Sequence, residues 1–162
     1  MAAYMKLGDI KGDVSNPDHK QWIMIESMSS PIYRSIPPGA RNQGRTQGET
    51  TLGDIVVVKL LDQSSTKLQE ACAKGDFQKA VEIHFTTDVK GKEEPYLKYT
   101  LENAIVSSYS FHGNSSGSPL PTEQLTINFT KATWCYVVIN KDTGAKEGNI
   151  ETKYDKEQAK AG

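Results

Sequence analysis

The stretch Val81–Phe85, with the sequence Val-Glu-Ile-His-Phe, decides the fold, because apolar and polar residues alternate along it with a period of two. Such alternation is typical of a β-strand with one buried face, and it predicts that His84 faces water. The same alternation recurs at Leu97–Leu101 and at Leu125–Phe129. Ile55–Val58 is apolar on both faces and β-branched, which indicates a strand covered on both sides.

Five further segments on either side of these strands also have the composition of β-strands. They are Tyr4–Ile10, Gln21–Met28, Ile105–Phe111, Trp134–Ile139 and Asn149–Tyr154. Eight or nine short strands favour a sandwich or a barrel over alternating strand and helix units. The sequence therefore predicts an all-β protein.

One segment, Ser65–Gly75, has a helical period instead. Leu68, Ala71 and Cys72 fall at positions i, i+3 and i+4, which places them on one face of a helix. Ser64 or Ser65 is expected to cap the N-terminus, and the glycine suits a left-handed residue after the last turn. We predict one short helix that packs on the sheet, with Cys72 as a structural thiol.

Composition excludes several classes of function. The chain has 162 residues, 36% of them hydrophobic, with 19 Lys and Arg against 20 Asp and Glu. A net charge of −1 gives no global field that would select nucleic acid or an anionic membrane. No signal peptide follows Met1, and two cysteines cannot build a disulfide framework or a metal site. We expect a soluble protein made in a cytoplasm, without a cofactor, a nucleic-acid partner or a membrane partner.

A long loop, residues 29–50, is rich in proline and glycine and contains all three arginines of the chain: Arg34, Arg41 and Arg45. Loops longer than about 12–15 residues are uncommon in compact domains unless they are functional or disordered. Two interpretations stay open, a solvated basic loop and a docking arm for another chain, for which arginine is well suited. Residues 156–162 are charged and small and are expected to form a flexible tail.

Three candidate catalytic patterns lack their structural context. Gly39–Thr46 approximates a phosphate-binding loop, but Pro37 and Pro38 precede it and no helical period follows. Gly113–Gly117 matches a nucleophile elbow around Ser115 without the required strand-to-helix turn. The three histidines have no metal-binding spacing. We therefore expect no enzyme, with a Ser115 hydrolase as the weakest alternative.

Eight short strings follow one another along the chain: Lys11–Asp13, His19–Ile23, Gly53–Lys59, Leu61–Ser65, Leu68–Cys72, Tyr99–Ser110, Pro121–Glu123 and Leu125–Phe129. In this order they resemble the haemolysin-coregulated protein (Hcp) family, the tube proteins of bacterial type VI secretion systems. Thr66 stands where the family suggests proline, and Thr133–Tyr136 is less typical.

The resemblance implies a two-sheet, barrel-like fold over residues 1–155, with one short helix. It also implies a homohexameric ring that stacks with other rings into a hollow tube. Sheath, spike and baseplate proteins would then be its partners, and secreted effectors would occupy the lumen. The long loop would contact the next ring through Arg34, Arg41 and Arg45. The protein would leave the bacterial cytoplasm without a signal peptide, and since the chain stops at Gly162 it would be a plain tube subunit without a fused toxin.

A different class of function stays open on the residues alone. A monomeric β-sandwich that binds a ligand such as carbohydrate has the same strand pattern, although it would want exposed aromatic residues on one face. Aromatic residues make up 8% of the chain. Trp22 and Trp134 each lie beside core-like residues. Native mass distinguishes the two, because a binding module is a monomer and a ring is not.

Overall fold

The structure is a computed structural model, and it describes residues 1–39, 41, 48–113, 115, 120–140 and 142–161. These residues form strands, one α-helix and a short 3-10 helix at Pro17–His19. Helix α1 is Ser65–Lys74. The strands are β1 Ala2–Leu7, β2 Ile23–Met24, β3 Ser27–Ser29, β4 Ile32–Arg34, β5 Thr50–Leu52, β6 Ile55–Leu60, β7 Phe77–Val89, β8 Lys92–His112, β9 Thr122–Asn128, β10 Lys131–Ile139, β11 Lys146–Asp155 and β12 Lys160–Ala161.

The long strand β8 connects two layers. It pairs with β7 and β10 over its first part, in the order β12-β11-β10-β8-β7-β1-β2, and with β9 over its last part. Strand β9 pairs in turn with β6, and β6 with β3. The hydrogen bonds Ile25 N to Ala3 O and Glu26 N to Val58 O join this second layer to the side of β1 that also pairs with β2. The result confirms the predicted all-β, barrel-like fold with one helix.

The core lies between the two layers. Side chains in the predicted phase fill it, so that Ile55 and Val57 of β6 and Leu125 and Ile127 of β9 are all fully buried. Their neighbours in sequence point to the other face, because successive side chains of a strand alternate. On β6 these neighbours, Val56 and Val58, are only half-buried, whereas the sequence predicts a strand covered on both sides. Apolar residues from β1, β2, β7 and β8 complete the same cluster: Met5, Leu7, Ile23, Val81, Ile83, Leu101, Ala104 and Val106.

Helix α1 closes one side of the core. Leu68 and Ala71 are buried and Cys72 packs against the core cluster, as the helical period predicts. Gly75 has φ 67°, a left-handed conformation, and its N–H donates to Ala71 O. The predicted serine cap is wrong: the Ser64 side chain caps no helical N–H, and Ser65 Oγ accepts from Asp62 N, which lies before the helix. Asp62 Oδ1 accepts from the backbone N–H of Ser64 at 2.9 Å, because the turn before the helix places the Asp62 carboxylate next to that N–H.

Both ends of the long 29–50 loop are paired. Strands β4 and β5 form a separate two-stranded antiparallel sheet with Ile32 opposite Leu52. The predicted strand Gln21–Met28 is interrupted between β2 and β3. At the C-terminus, β12 pairs with Tyr154 and Asp155 of β11, while the flexibility of residues 156–162 stays a prediction.

Candidate functional site

The two-stranded sheet of β4 and β5 supports the long loop that the sequence singles out. Beyond the paired residues, Ser35 N donates to Glu49 O at 2.9 Å, and Gly53 N donates to Pro31 O at 2.9 Å. These bonds continue the pairing on both sides of the strands. The two arms of the loop, residues 31–35 and 49–53, are therefore held side by side.

This hairpin exposes apolar side chains that the core of its own chain does not cover. Ile32 is 55% exposed, Tyr33 64% and Ile36 53%. Burying apolar surface contributes about 25 cal/mol per Å², so a cluster of this kind favours contact with another molecule. Chemically, the hairpin combines exposed apolar surface with arginine charge.

The structure locates two of the three predicted stacking arginines. Arg34 is exposed on β4 and donates from Nη1 to Thr50 Oγ1 at 3.3 Å. Arg41 is exposed further along the loop. Arg45 lies outside the described residues. The role of the three arginines in stacking stays a prediction.

Strand β11 offers a second surface. It pairs with β10 along its length, whereas β12 covers its other side only at Tyr154 and Asp155 among the described residues. Lys146–Lys153 are exposed, including Ile150, which is 64% exposed. An open edge of this length presents unpaired backbone N–H and C=O groups, which a strand of another chain can pair with.

Two histidines that are far apart in sequence meet in the structure. His19 Nε2 lies 2.9 Å from His84 Nδ1. The prediction that His84 faces water is wrong: its side chain is only 13% exposed, because residues 12–22 fold over that face of β7. Among the described residues, no group of three or more His, Cys, Asp or Glu side chains is arranged to hold a metal ion.

A buried ionic network is a feature that the sequence analysis missed. Lys59 is fully buried, with Nζ 2.6 Å from Glu123 Oε2 and 2.9 Å from Asp62 Oδ1, and it also donates to Leu60 O. Tyr109 donates to Glu123 Oε1 at 2.6 Å. Burial and this bond to the carboxylate raise the pKa of Tyr109 to about 12. The network joins β6, β8, β9 and the turn before α1.

The described residues add no chemical role for the other candidates that the sequence singles out, Ser115, Cys72 and Cys135. Ser115 is exposed in the Gly113–Pro121 loop, most of which lies outside the described residues. Cys72 and Cys135 are free and half-buried. In the part of the chain that the structure covers, no helix has the length and apolar character needed to cross a membrane. The hairpin and the β11 edge are thus the surfaces that carry the candidate function, and both suit contacts between proteins.

Comparison with known proteins identifies the family. The model of the family described as type VI secretion system effector, Hcp, matches residues 4–136. Protein hcp1 of Pseudomonas aeruginosa strain PAO1 is 29% identical over 145 residues, which cover 90% of this chain and 88% of that protein.

Two solved structures show the shared fold. The structure of a type six secretion system protein superposes with a TM-score of 0.91 and 25% identity, over 99% of both chains. Hcp1 from Salmonella typhimurium superposes with a TM-score of 0.77 and 23% identity, over 99% of this chain and 97% of that one. Because the family model matches most of the sequence, this chain belongs to the Hcp family of type VI secretion system proteins.

Proposed function

We propose that the chain is the structural subunit of a type VI secretion tube. Six copies close into a ring, rings stack into a hollow tube, and the tube is secreted from the bacterial cytoplasm and carries effectors in its lumen. Family membership over residues 4–136 is the observation that carries this proposal. The sheath, spike and baseplate proteins of the same system are its expected partners.

The surfaces described above support an assembly of this kind. A ring needs a heterologous contact that closes after a fixed rotation, and an open strand edge such as Lys146–Lys153 supplies one half of such a contact. Stacking needs a second surface, and the exposed Tyr33 and Arg34 of the hairpin supply apolar and charged groups for it. The net charge of −1 keeps repulsion low when many copies gather.

One observation favours the alternative of a monomeric binding module. Tyr96 and Tyr136, with ring centroids 6.5 Å apart, line an open depression of about 450 Å³ together with Val89 and Ile139. Aromatic rings in a shallow depression suit a sugar face. This alternative requires the protein to act as a single chain, and native mass therefore distinguishes it from the tube subunit.

The first prediction concerns native mass. Mass spectrometry under native conditions, or light scattering behind size exclusion, should give a particle of about six times the 17.9 kDa of one chain. The ring depends on a repeated heterologous contact, so intermediate species should be rare at micromolar concentration. A monomer that persists as the protein is concentrated would contradict the ring and favour the binding module.

The second prediction concerns the arginines of the loop. The triple change Arg34→Ala, Arg41→Ala and Arg45→Ala should leave ring mass unchanged and reduce tube length in electron micrographs, together with secretion. Each exposed ion pair contributes only about 0.2–1 kcal/mol, but the contact repeats around the ring.

A matched control separates the loop from a general effect of charge. Changing Lys11, Lys67 and Lys79 to alanine removes the same charge from three exposed positions, in the loop after β1, on α1 and on β7, all outside the hairpin and the β11 edge. This variant should form tubes of normal length. Tubes of normal length from the arginine variant, or equally short tubes from both variants, would remove the loop arginines from the stacking contact.

A further inference from the structure

The contact between His19 and His84 belongs to a closed aromatic cluster that the tube function does not use. His19 is 2% exposed, and its ring stacks on Tyr4 with centroids 4.7 Å apart. Trp22 lies against both histidines, with centroid distances of 4.8 Å to His19 and 4.7 Å to His84. Two adjacent, titratable rings are thus enclosed by two other aromatic rings.

The cluster joins one short segment to the sheet. We call residues 12–22 the covering segment. It holds its own shape through backbone bonds, among them Gly12 N to Gln21 O at 2.8 Å and Gln21 N to Val14 O at 2.7 Å. It contacts the rest of the chain through His19 on His84, through the Asn16 amide, which donates to Glu93, and through Gly12 O, which accepts from Gln63 Nε2 at 2.6 Å. Of these contacts, the imidazole pair is the one that joins the segment to β7.

The hydrogen bond between the rings requires one of the two facing nitrogens to carry a proton and the other to be free of one. His19 Nδ1 has no hydrogen-bond partner among the described residues, so a proton there would be a buried, unsatisfied donor. The favoured arrangement places the proton of His19 on Nε2, which donates to His84 Nδ1. His84 Nε2–H then points towards Glu82, whose Oε2 is 4.0 Å away. A second proton on His84 would set two donors against each other across the 2.9 Å contact.

Charged groups face the pair from every element around it. Lys98 of β8 is the register partner of His84, and it lowers the pKa of both histidines. Asp18, within the covering segment, and Glu93 of β8 act in the opposite direction on His19. Burial is the largest cause for both rings, and burial, Lys98 and the neighbouring His19 together lower the pKa of His84 from 6.5 to about 4. For His19 the pKa is also lowered.

We propose that the covering segment is an acid-operated latch, closed on β7 while His19 and His84 are neutral and released from the sheet when they are protonated. The device is local, since the core on the other face of β7 is built from apolar residues such as Val81 and Ile83. It does not depend on the tube function, because every group in it belongs to one chain. Release would uncover Trp22, Tyr4 and this face of β7.

The sign of the pH dependence follows from the lowered pKa values. When the segment is released, His19 and His84 bind protons with an ordinary histidine pKa of about 6.5, whereas in the closed state the pKa of each is lowered. The free energy that favours closure is therefore fully present above about pH 6.5. Each pH unit below that value shifts the ratio of released to closed segment by up to about tenfold per histidine. For His84 the effect ends near pH 4, where the closed state also takes up its proton.

Trp22 reports on the latch because it contacts both rings. The chain has two tryptophans, so Trp134→Phe leaves Trp22 as the single emitter. In this background we expect acrylamide quenching of Trp22 to rise at least about twofold between about pH 6.5 and about pH 4, while the far-UV circular dichroism of the sheet is retained. Light scattering at each pH records ring mass, so dissociation of subunits is observed separately. In the unmodified chain, the imidazole NMR signals of His19 and His84 should move together, with exposed His112 as the reference.

The control replaces the titrating ring. His84→Gln, in the same Trp134→Phe background, keeps an acceptor for His19 Nε2–H but cannot take up a proton. Its quenching transition should move at least about half a pH unit lower. Three results would overturn the latch: no change in Trp22 quenching above about pH 3.5, an unchanged transition in the His84→Gln variant, or loss of the circular dichroism signal at the pH where Trp22 becomes accessible.

Discussion

Replacing Lys59 with methionine should destabilise the protein by about 3–5 kcal/mol. Methionine fills most of the volume of the lysine stem, so the loss comes from charge. Without the ammonium group, the buried Glu123 carboxylate keeps only Tyr109 as a donor among the described residues, and Asp62 loses a partner at 2.9 Å. An uncompensated buried carboxylate is among the largest single costs that a substitution can impose.

Urea unfolding at one fixed protein concentration measures the loss, because ring formation makes apparent stability depend on concentration. The double variant Lys59→Met, Glu123→Leu removes both charges of the buried pair and should recover most of the stability that the single variant loses. A single variant within about 1 kcal/mol of the unmodified protein would contradict the prediction. So would a double variant less stable than the single one.

The Lys59–Glu123 ion pair also shows that strand alternation predicts more than the number of strands. Lys59 is in phase with Ile55 and Val57, and Glu123 is in phase with Leu125 and Ile127. Opposite charges at inward positions of two strands are a signal for a buried ion pair. The register confirms it, since Lys59 lies opposite Glu123 in the pairing of β6 with β9. The sequence alone could not show that β6 and β9 are neighbours.

His84 shows what strand alternation cannot predict. Its phase correctly places it on the face of β7 opposite Ile83, but a strand pattern does not say whether a remote segment covers that face. The enclosure by His19 and Trp22 depends on a contact between residues 65 positions apart. Local periodicity contains no information about such a contact, and the assignment to solvent therefore failed.

The position of the long loop could be predicted from the sequence, but the pairing of its two ends could not. Proline and glycine mark residues 29–50 as irregular, and the arginines mark them as a candidate contact surface. Strands β4 and β5 have only three residues each. Segments this short contain too few alternations to be distinguished from loop by pattern, and their pairing came from the structure alone.

Replacing Leu101 with alanine should cost about 2–5 kcal/mol. Leu101 is fully buried at the centre of β8, opposite Val81 on β7 and Ala132 on β10. Truncation removes apolar contacts and leaves a cavity that three paired strands cannot readily collapse to fill. Urea unfolding measures the loss, and a midpoint that falls without a change of slope would show that stability alone has changed.

Leu97 provides the matched control for this substitution. It lies on the same strand and in the same phase as Leu101, but it is only half-buried. Leu97→Ala should therefore cost about 1 kcal/mol, in proportion to the smaller apolar area that it removes from burial. Equal losses from the two variants would contradict a core centred between the β7–β8–β10 layer and the β6–β9 layer. A larger loss from Leu97 would likewise contradict it.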